Sequence, residues 1–435
     1  MFCCGSWRTA ADCGAKVMWR IYMNERLIVK NFLCLEDIDI EVKDFLVIIG
    51  PQSAGKSLCA KLLYFFRTIF DEVVLYYFTT DTSKKASDFY ITLADKFESF
   101  FPKSYWEKED FYIEYHRGLK KEFGIKKRKK EKLEIYLNQR FLAIAQYIKP
   151  SPRNMIEFND DKFDRTQKIL KLLSNKSSRC LFIDNIFIPA GRSFFSLLQK
   201  NLFKFLRNNN NIDPFLVEFG VFYEDIKQTE CNIPTEALTL IRSILKGEYL
   251  YSESLLRLAD GKKVTPEFLS SGQQETLPLA LVFAYIISLH LDSHKISNIY
   301  VEEPEAHLFP DAQEQISRLI SFLWYNAKHE VTFAITTHSP YMLAAFNNLI
   351  KAGNLVKQNP GLKDAVCKEI PESMHIDIEH FSAYSLEGGR AASIIDEETH
   401  LINADAIDRV SESIMEIFNT LQDIEFDGGK AGNNV

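Results

Sequence analysis

Apolar and polar positions divide the chain into stretches of different texture. Arg26-Leu27-Ile28-Val29-Lys30-Asn31-Phe32 has strand character, and Phe45-Leu46-Val47-Ile48-Ile49 is an unbroken apolar run that stops at Gly50. Such a run predicts a strand buried on both faces and ended by a turn. Lys56 to Phe70 reads as a helix, because Leu58, Leu62, Leu63, Phe65, Phe66, Ile69 and Phe70 cover a broad face. Strand character returns at Cys180 to Ile183, Ile299 to Val301 and Val331 to Ile335, the last two flanking a helical segment around Ala312 to Trp324. Leu277 to Leu291 is nearly apolar but holds Ser288 and His290, too short and too interrupted to cross a bilayer. It predicts a buried helix that Pro278 kinks at the cost of one hydrogen bond.

Residues 81–178 are aromatic and charged, without buried-strand runs. There Leu133, Tyr136, Leu137, Phe141, Ile144 and Ile148 step at helical spacing until Pro150, which predicts a helical insertion. Asn208 to Asn211 with Asp213-Pro214 mark a surface loop, and Asp260-Gly261 predicts a hairpin turn between Leu255 to Leu258 and Val264. An amphipathic helix through Ile407, Val410, Ile414, Ile417 and Phe418 precedes a Gly/Asn tail expected to be disordered. The fold expected is α/β, a mixed or parallel sheet flanked by helices, plus the helical insertion. The segments are an N-terminal extension (1–22) ahead of Met23, expected to be poorly ordered, a first core lobe (23–80), the insertion (81–178), a continued core (179–265), a second lobe (266–426) and a tail (427–435).

The length of 435 residues accommodates two or three subdomains. Its 52 Lys and Arg against 59 Asp and Glu leave a net charge of −7, which excludes a uniformly basic nucleic-acid coat and leaves only local contact. Eight cysteines without a CxxC pair predict neither a disulfide framework nor a zinc site. Residues 1–20 lack the apolar core of a secretory signal, so a cytoplasmic location without a membrane span is expected.

Four short motifs carry chemistry. Gly50-Pro51-Gln52-Ser53-Ala54-Gly55-Lys56-Ser57 fits G-x-x-x-x-G-K-[ST], placed after a buried strand and opening a helix. Its backbone N–H groups would wrap phosphates, Lys56 would neutralise the β and γ phosphates, and the Ser57 hydroxyl would ligate Mg²⁺. The nucleotide-binding set is Gly50, Gln52, Ser53, Ala54, Gly55, Lys56 and Ser57, with Asn31 added. The strand of Ile299 to Val301 delivers Glu302 and Glu303, the first suited to hold Mg²⁺ and the second to orient the attacking water. Thr337-His338-Ser339-Pro340 puts an imidazole at the end of the next strand, where it could bond the γ-phosphate or that water. Leu269-Ser270-Ser271-Gly272-Gln273-Gln274-Glu275 opens the long apolar helix, either as an ordinary cap or as a γ-phosphate grip. His375, Asp377 and Glu379 alternate as if on one strand face, which reads as a solvated polar face rather than a metal site.

Together, GPQSAGKS, LSSGQQE, IYVEEPEAHL and TTHSP resemble the ATPase head of the ABC superfamily, in the branch containing the SMC, RecF and OLD proteins, over residues 23 to about 80 and 179 to about 400. The resemblance implies two heads sandwiching two ATP molecules, with each Walker A motif facing the partner's signature motif. It assigns Ser270, Ser271, Gly272 and Gln273 to that signature, acting on the other copy's ATP. Glu302 corresponds to the Walker B metal carboxylate, Glu303 to the catalytic base and His338 to the switch histidine.

The sequence departs from the family at several points. Ser271 stands where many transporter members have a second Gly, no Q-loop glutamine is assignable, and the insertion, broken by Pro102 and Pro150, is too short for an SMC coiled coil. The residues after His338 lack the carboxylates of a Toprim nuclease, and there is no HNH-like cluster.

A head standing alone resembles the ATPase subunits of bacterial anti-phage systems such as PARIS and Septu, PARIS more closely through Ile188 to Arg192 and Tyr384 to Ile395. That resemblance implies an ATP-gated homo-oligomeric sensor holding a separate nuclease or toxin effector until a viral trigger releases it.

Arg117, Lys120, Lys121, Lys126, Lys127, Arg128, Lys129, Lys130 and Lys132 are opposed only by Glu122 and Glu131. This run is either a solvated face, a grip on DNA or a docking surface for an acidic phage protein. The competing reading is a RecF-like repair clamp that closes on DNA with ATP, and a third is a scaffold in which hydrolysis is incidental. No Asn-Lys-x-Asp motif supports a GTPase.

Overall fold

One eleven-stranded sheet organises the chain, in the order β6 (Glu134–Leu137), β5 (Lys120–Lys127), β4 (Phe111–Arg117), β1 (Glu25–Phe32), β2 (Leu35–Val42), β14 (Arg390–Ser393), β13 (Phe381–Glu387), β3 (Phe45–Ile49), β12 (Val331–Thr337), β11 (Ile296–Glu302) and β7 (Ile183–Ile188). The computed structural model describes residues 25–79, 86–117, 120–129, 131–138, 183–198, 213–292, 296–328 and 330–403. The expectations for residues 1–22, Cys180 to Phe182, Phe141 to Ile148, Asn208 to Asn211, the helix after residue 403 and the tail lie outside these.

The parallel half contains β3 (Phe45–Ile49), β7 (Ile183–Ile188), β11 (Ile296–Glu302), β12 (Val331–Thr337) and β13 (Phe381–Glu387). Every residue of β11 and β12 is buried, the apolar centres Ile299 to Val301 and Phe333 to Ile335 together with polar Ser297, Asn298 and Thr332. Their side chains alternate between two cores. Phe45, Val47, Ile299, Val301, Phe333 and Ile335 enter one, and Leu46, Ile48, Tyr300 and Ala334 the other. The first core is closed by α4 (Pro214–Ile226), α5 (Thr235–Leu245), α6 (Ser271–Asp292), α7 (Pro310–Asn326) and α8 (Pro340–Gln358). The second is closed by α1 (Lys56–Thr79) and α2 (Ala86–Phe100). By length and composition Ser271–Leu291 could cross a membrane, yet most of it is buried here as the central helix of the first core, running unbroken through Pro278.

The antiparallel half contains β1 (Glu25–Phe32), β2 (Leu35–Val42), β4 (Phe111–Arg117), β5 (Lys120–Lys127) and β6 (Glu134–Leu137). A hairpin of β13 with β14 (Arg390–Ser393) joins the halves, β14 running parallel to β2 through Arg390 and Asp37. The expected helical insertion is therefore corrected. Residues 86–100 are helical, but residues 111–137 supply three strands. Phe111, Ile113 and Tyr115 are buried while the residues between them are half-buried, a period of two that pairing along β1 enforces. Leu133, Tyr136 and Leu137 are too few to separate the two periods.

A short sheet of β8 (Gly247–Leu250), β9 (Leu255–Leu258) and β10 (Lys263–Val264) contains the Asp260-Gly261 hairpin turn as expected. The strand face expected for His375, Asp377 and Glu379 is absent: Ile378–His380 is a 3₁₀ turn, and Asp377 and Glu379 both accept from Lys357. Among the described residues no His, Cys, Asp or Glu cluster is arranged to hold a metal.

The basic run is also less free than its composition suggests. Arg117 is largely buried with Glu25 at 3.7 Å, Lys121 pairs with Glu114, and buried Lys127 donates to the Arg128 carbonyl at 2.8 Å.

Candidate active site

β3, β11 and β12 lie side by side and in parallel, so their carboxyl ends share one edge of the sheet, where open α/β sheets bind ligands. The P-loop leaves β3 and turns through two left-handed residues, Ser53 (φ 61°) and Gly55 (φ 98°), before Lys56 opens α1. Gly55 is required for a second reason. A Cβ there would lie 2.4 Å from Leu35 Cδ2 and 3.0 Å from Cys34 Sγ, so the β1–β2 turn packs directly on the loop. Asn31 is exposed near the end of β1 with φ 55°, and no hydrogen bond joins it to the loop among the described residues.

Lys56 is 5% exposed, and its Nζ donates to the carbonyls of Gly50 (2.9 Å) and Pro51 (2.8 Å). It also lies 3.1 Å from His338 Nε2. Burial lowers the pKa of this ammonium from its ordinary value, and the charges of Glu303 and Glu305 oppose the shift.

His338 Nε2 is in turn 3.3 Å from Glu303 Oε1, so residues 56, 303 and 338, far apart in sequence, form one cluster. Glu303 sits at φ 45°, a left-handed conformation that costs a non-glycine residue about 1–3 kcal/mol. Its N–H donates to Thr336 O at 2.9 Å, tying the turn to β12. Glu302 is buried, and its Oε2 accepts from Ala190 N–H at 3.1 Å while Oε1 has no partner. An orphaned carboxylate oxygen at this depth is expensive unless a ligand satisfies it. The residues therefore fit Mg²⁺, which Glu302 and the Ser57 hydroxyl would hold, and which when bound supplies charge neutralisation on the phosphates.

Three residues that sequence reasoning left out support this cluster. Buried Glu305 accepts from Thr337 Oγ1 and the His338 N–H, both at 2.7 Å, and so orients the imidazole's backbone. The wholly buried Arg192 reaches the carbonyls of Glu302 (2.7 Å) and Glu303 (2.9 Å) from the loop after β7. Glu275, buried one turn into α6, accepts from the Arg192 N–H at 2.9 Å. Glu275 and Glu305 were detectable as charges inside otherwise apolar or motif segments; Arg192 had no local signal of this kind. The loop that meets Glu302 is residues 189–192, which contains no glutamine.

A cleft of roughly 510 Å³ opens between Gln52, Glu303, Glu305, Phe309, Gln313 and His338. The arrangement has the chemistry to receive a phosphate at the α1 N-terminus, with a carboxylate and an imidazole beside it that could deprotonate a water.

The signature residues sit apart. Ser270 N–H and Oγ both donate to Gln273 Oε1, while Gln273 N–H reaches Ser270 Oγ at 3.4 Å, a capping box. Gln273 also donates to Leu245 O at 2.9 Å and so braces α6. Ser270 and Ser271 remain exposed, and among the described residues no hydrogen bond joins 270–273 to 50–57. Gly272 packs so closely on the loop after Glu305 that a Cβ would lie 2.8 Å from His307 O.

Residues 161–343 match the family model described as an AAA ATPase domain, a span that includes the signature segment, Glu302, Glu303 and His338. That span covers less than half of the chain: it takes in the parallel strand ends that carry Glu302, Glu303 and His338 but not the P-loop at residues 50–57. Among solved structures it is similar to an SMC head bound to the C-winged helix domain of ScpA, at 13% identity over 86% of this chain and 98% of that one, with a TM-score of 0.39. It is similar to the SMC head domain from Thermotoga maritima, at 14% identity, 85% and 97% coverage and a TM-score of 0.34. For the recombination mediator protein RecF the values are 14%, 86%, 98% and 0.32. No curated protein matches the chain.

Proposed function

We propose that this ATPase works as a pair of heads and serves as the sensor subunit of a bacterial anti-phage system. The observation that carries the catalytic part is the meeting of Lys56, His338 and Glu303 beside the free Glu302 oxygen. In this mechanism residues 50–57 hold the phosphates and Lys56 shifts its donors from the Gly50 and Pro51 carbonyls to the β and γ oxygens. Glu303 takes the proton of the attacking water, and His338 bonds the γ-phosphate. Ser270 to Gly272 of a second copy complete the site. Exposed Ser270 and Ser271 support that arrangement, as do Phe268 and Phe309, each 82% exposed, one before the signature and one on the cleft.

The defence role is supported by the motif resemblance to stand-alone ATPase subunits. In that role ATP closes the heads in the cytoplasm, the assembly holds a separate nuclease or toxin, and an acidic phage protein releases it.

The test is to express the chain with its adjacent genes, as wild type and Glu303→Gln, and to measure ATP turnover, mass and composition. Expected is loss of turnover by roughly 100-fold or more in the variant, the scale of a general base. An ATP-trapped dimer and a co-purifying neighbour are expected with it. Normal turnover in Glu303→Gln would refute the base, and a lone dimer that binds DNA only with ATP would replace the sensor by a clamp.

A further inference from the structure

Arg192 is fully buried, yet its guanidinium is spent on main-chain carbonyls rather than on a carboxylate. Nε donates to Glu275 O (2.9 Å), Nη1 to Pro189 O (2.9 Å) and Glu302 O (2.7 Å), and Nη2 to Glu303 O (2.9 Å). The nearest approach to the Glu275 carboxylate is 3.7 Å. That carboxylate instead receives the N–H of Arg192 on Oε2, and the N–H (3.1 Å) and hydroxyl (2.6 Å) of Ser193 on Oε1. One side chain therefore joins three separate segments: the loop after β7, the first turns of α6 and the end of β11.

We propose that Arg192 is a positioning residue that couples the signature helix to the catalytic strand end, so that engagement of a second copy at Ser270 to Gly272 sets the direction of Glu303. The coupling rests on the two-head ATPase reading above. Its geometry is direct. Glu303 keeps its left-handed backbone because its N–H is held by Thr336 O and its C=O by Arg192 Nη2. The other end of the same guanidinium holds Glu275 O, five residues after Ser270 on the helix that the signature opens. Any shift of α6 along its axis moves Glu275, then Arg192, then the two peptide units that flank the base.

A lysine at 192 retains the charge but offers a single nitrogen, which cannot span all four carbonyls. For Arg192→Lys, kcat should fall by roughly tenfold or more, the scale of a misplaced catalytic group, with KM for ATP and the affinity for a fluorescent ATP analogue within about twofold of wild type. Backbone hydrogen exchange in residues 302–306 should quicken. A folded variant with wild-type kcat overturns the proposal, and so does a fall in kcat matched by an equal loss of ATP binding. If Arg192→Lys does not fold, Glu275→Gln is read by the same measures, since it keeps the side chain's shape but replaces one of the two accepting oxygens, and the charge, by an NH2 group. The exchange measurement separates the two readings. A wild type without ATP turnover defeats the proposed function while quickened exchange upholds the Arg192 coupling, and unchanged exchange defeats that coupling.

Discussion

Replacing Arg192 by methionine keeps most of the side chain's bulk and strands Glu275 as a buried charge. Glu275 is 2% exposed and would keep the Arg192 N–H and the two Ser193 donors, which hydrogen-bond it but do not neutralise it. Breaking a buried pair from one side costs about 3–5 kcal/mol, and each carbonyl that loses its donor adds about 1 kcal/mol of overlapping cost. An expected loss of about 4 kcal/mol is a large share of a typical 5–15 kcal/mol of stability. At about 2 °C per kcal/mol, suited to a large domain, Tm should drop by roughly 8 °C by circular dichroism. The diagnostic step is Arg192→Met combined with Glu275→Met. Removing both charges leaves an apolar pair, which is often near neutral, while the carbonyls of Pro189, Glu302, Glu303 and residue 275 still lack their donor and the Ser193 N–H and hydroxyl lose their acceptor. The double variant should therefore be more stable than Arg192→Met alone, by about 2 kcal/mol. Simple addition of the two single losses would refute the reasoning, because it would mean that the two residues do not act on one another.

Gly272→Ala forces a Cβ to within 2.8 Å of a backbone carbonyl, that of His307, so α6 and the loop after Glu305 must separate by a few tenths of an ångström. Turnover should fall while ATP affinity of the single chain is kept, because the P-loop is untouched; an equal loss of both would refute the separation of the two sites. Asp44 holds the proton on His380 through a 2.8 Å contact, with Asp377 and Glu379 adding to it against partial burial, so the imidazole's pKa is raised. The native state then binds that proton more tightly than the unfolded chain, and the stabilisation is complete below about pH 6.5 and lost as pH rises through the raised value. The stability difference between wild type and His380→Gln in urea should shrink from pH 6 to pH 9, and a difference that grows with pH would overturn the assignment.

The motifs proposed to touch nucleotide were legible because each is contiguous. A phosphate loop needs neighbouring N–H groups, so Gly50 to Ser57 carries its own pattern, and the buried strands β3, β11 and β12 announce themselves by the apolar stretches Phe45 to Ile49, Ile299 to Val301 and Phe333 to Ile335. In the antiparallel lobe β1 was legible but β4 to β6 were not. Phe111, Ile113 and Tyr115 alternate over only a few residues, and what makes them a strand is β1, some 85 positions earlier. Gln273 shows a different limit. As part of LSSGQ it suggested a ligand contact, yet the same Ser-x-x-Gln spacing is a capping box, and the structure uses it as one.

The support beneath the motifs follows another logic. Lys56, Glu303 and His338 act through side-chain tips, so their chemistry is visible in their type. Arg192 acts through carbonyls, which every residue has, and Glu302 lies 110 positions away from it, so neither partner marks the other in sequence. The same holds for Glu305, whose partner is the His338 N–H rather than its ring. In both cases the held atom is backbone. The direction of the catalytic side chains is thereby set before their own rotamers matter, and a left-handed Glu303 can persist because its peptide units are fixed from β12 on one side and from Arg192 on the other. On the coupling proposed above, a second copy pressing on Ser270 and Ser271 would reach Glu303 through Glu275 and Arg192, because those two residues tie α6 to the end of β11.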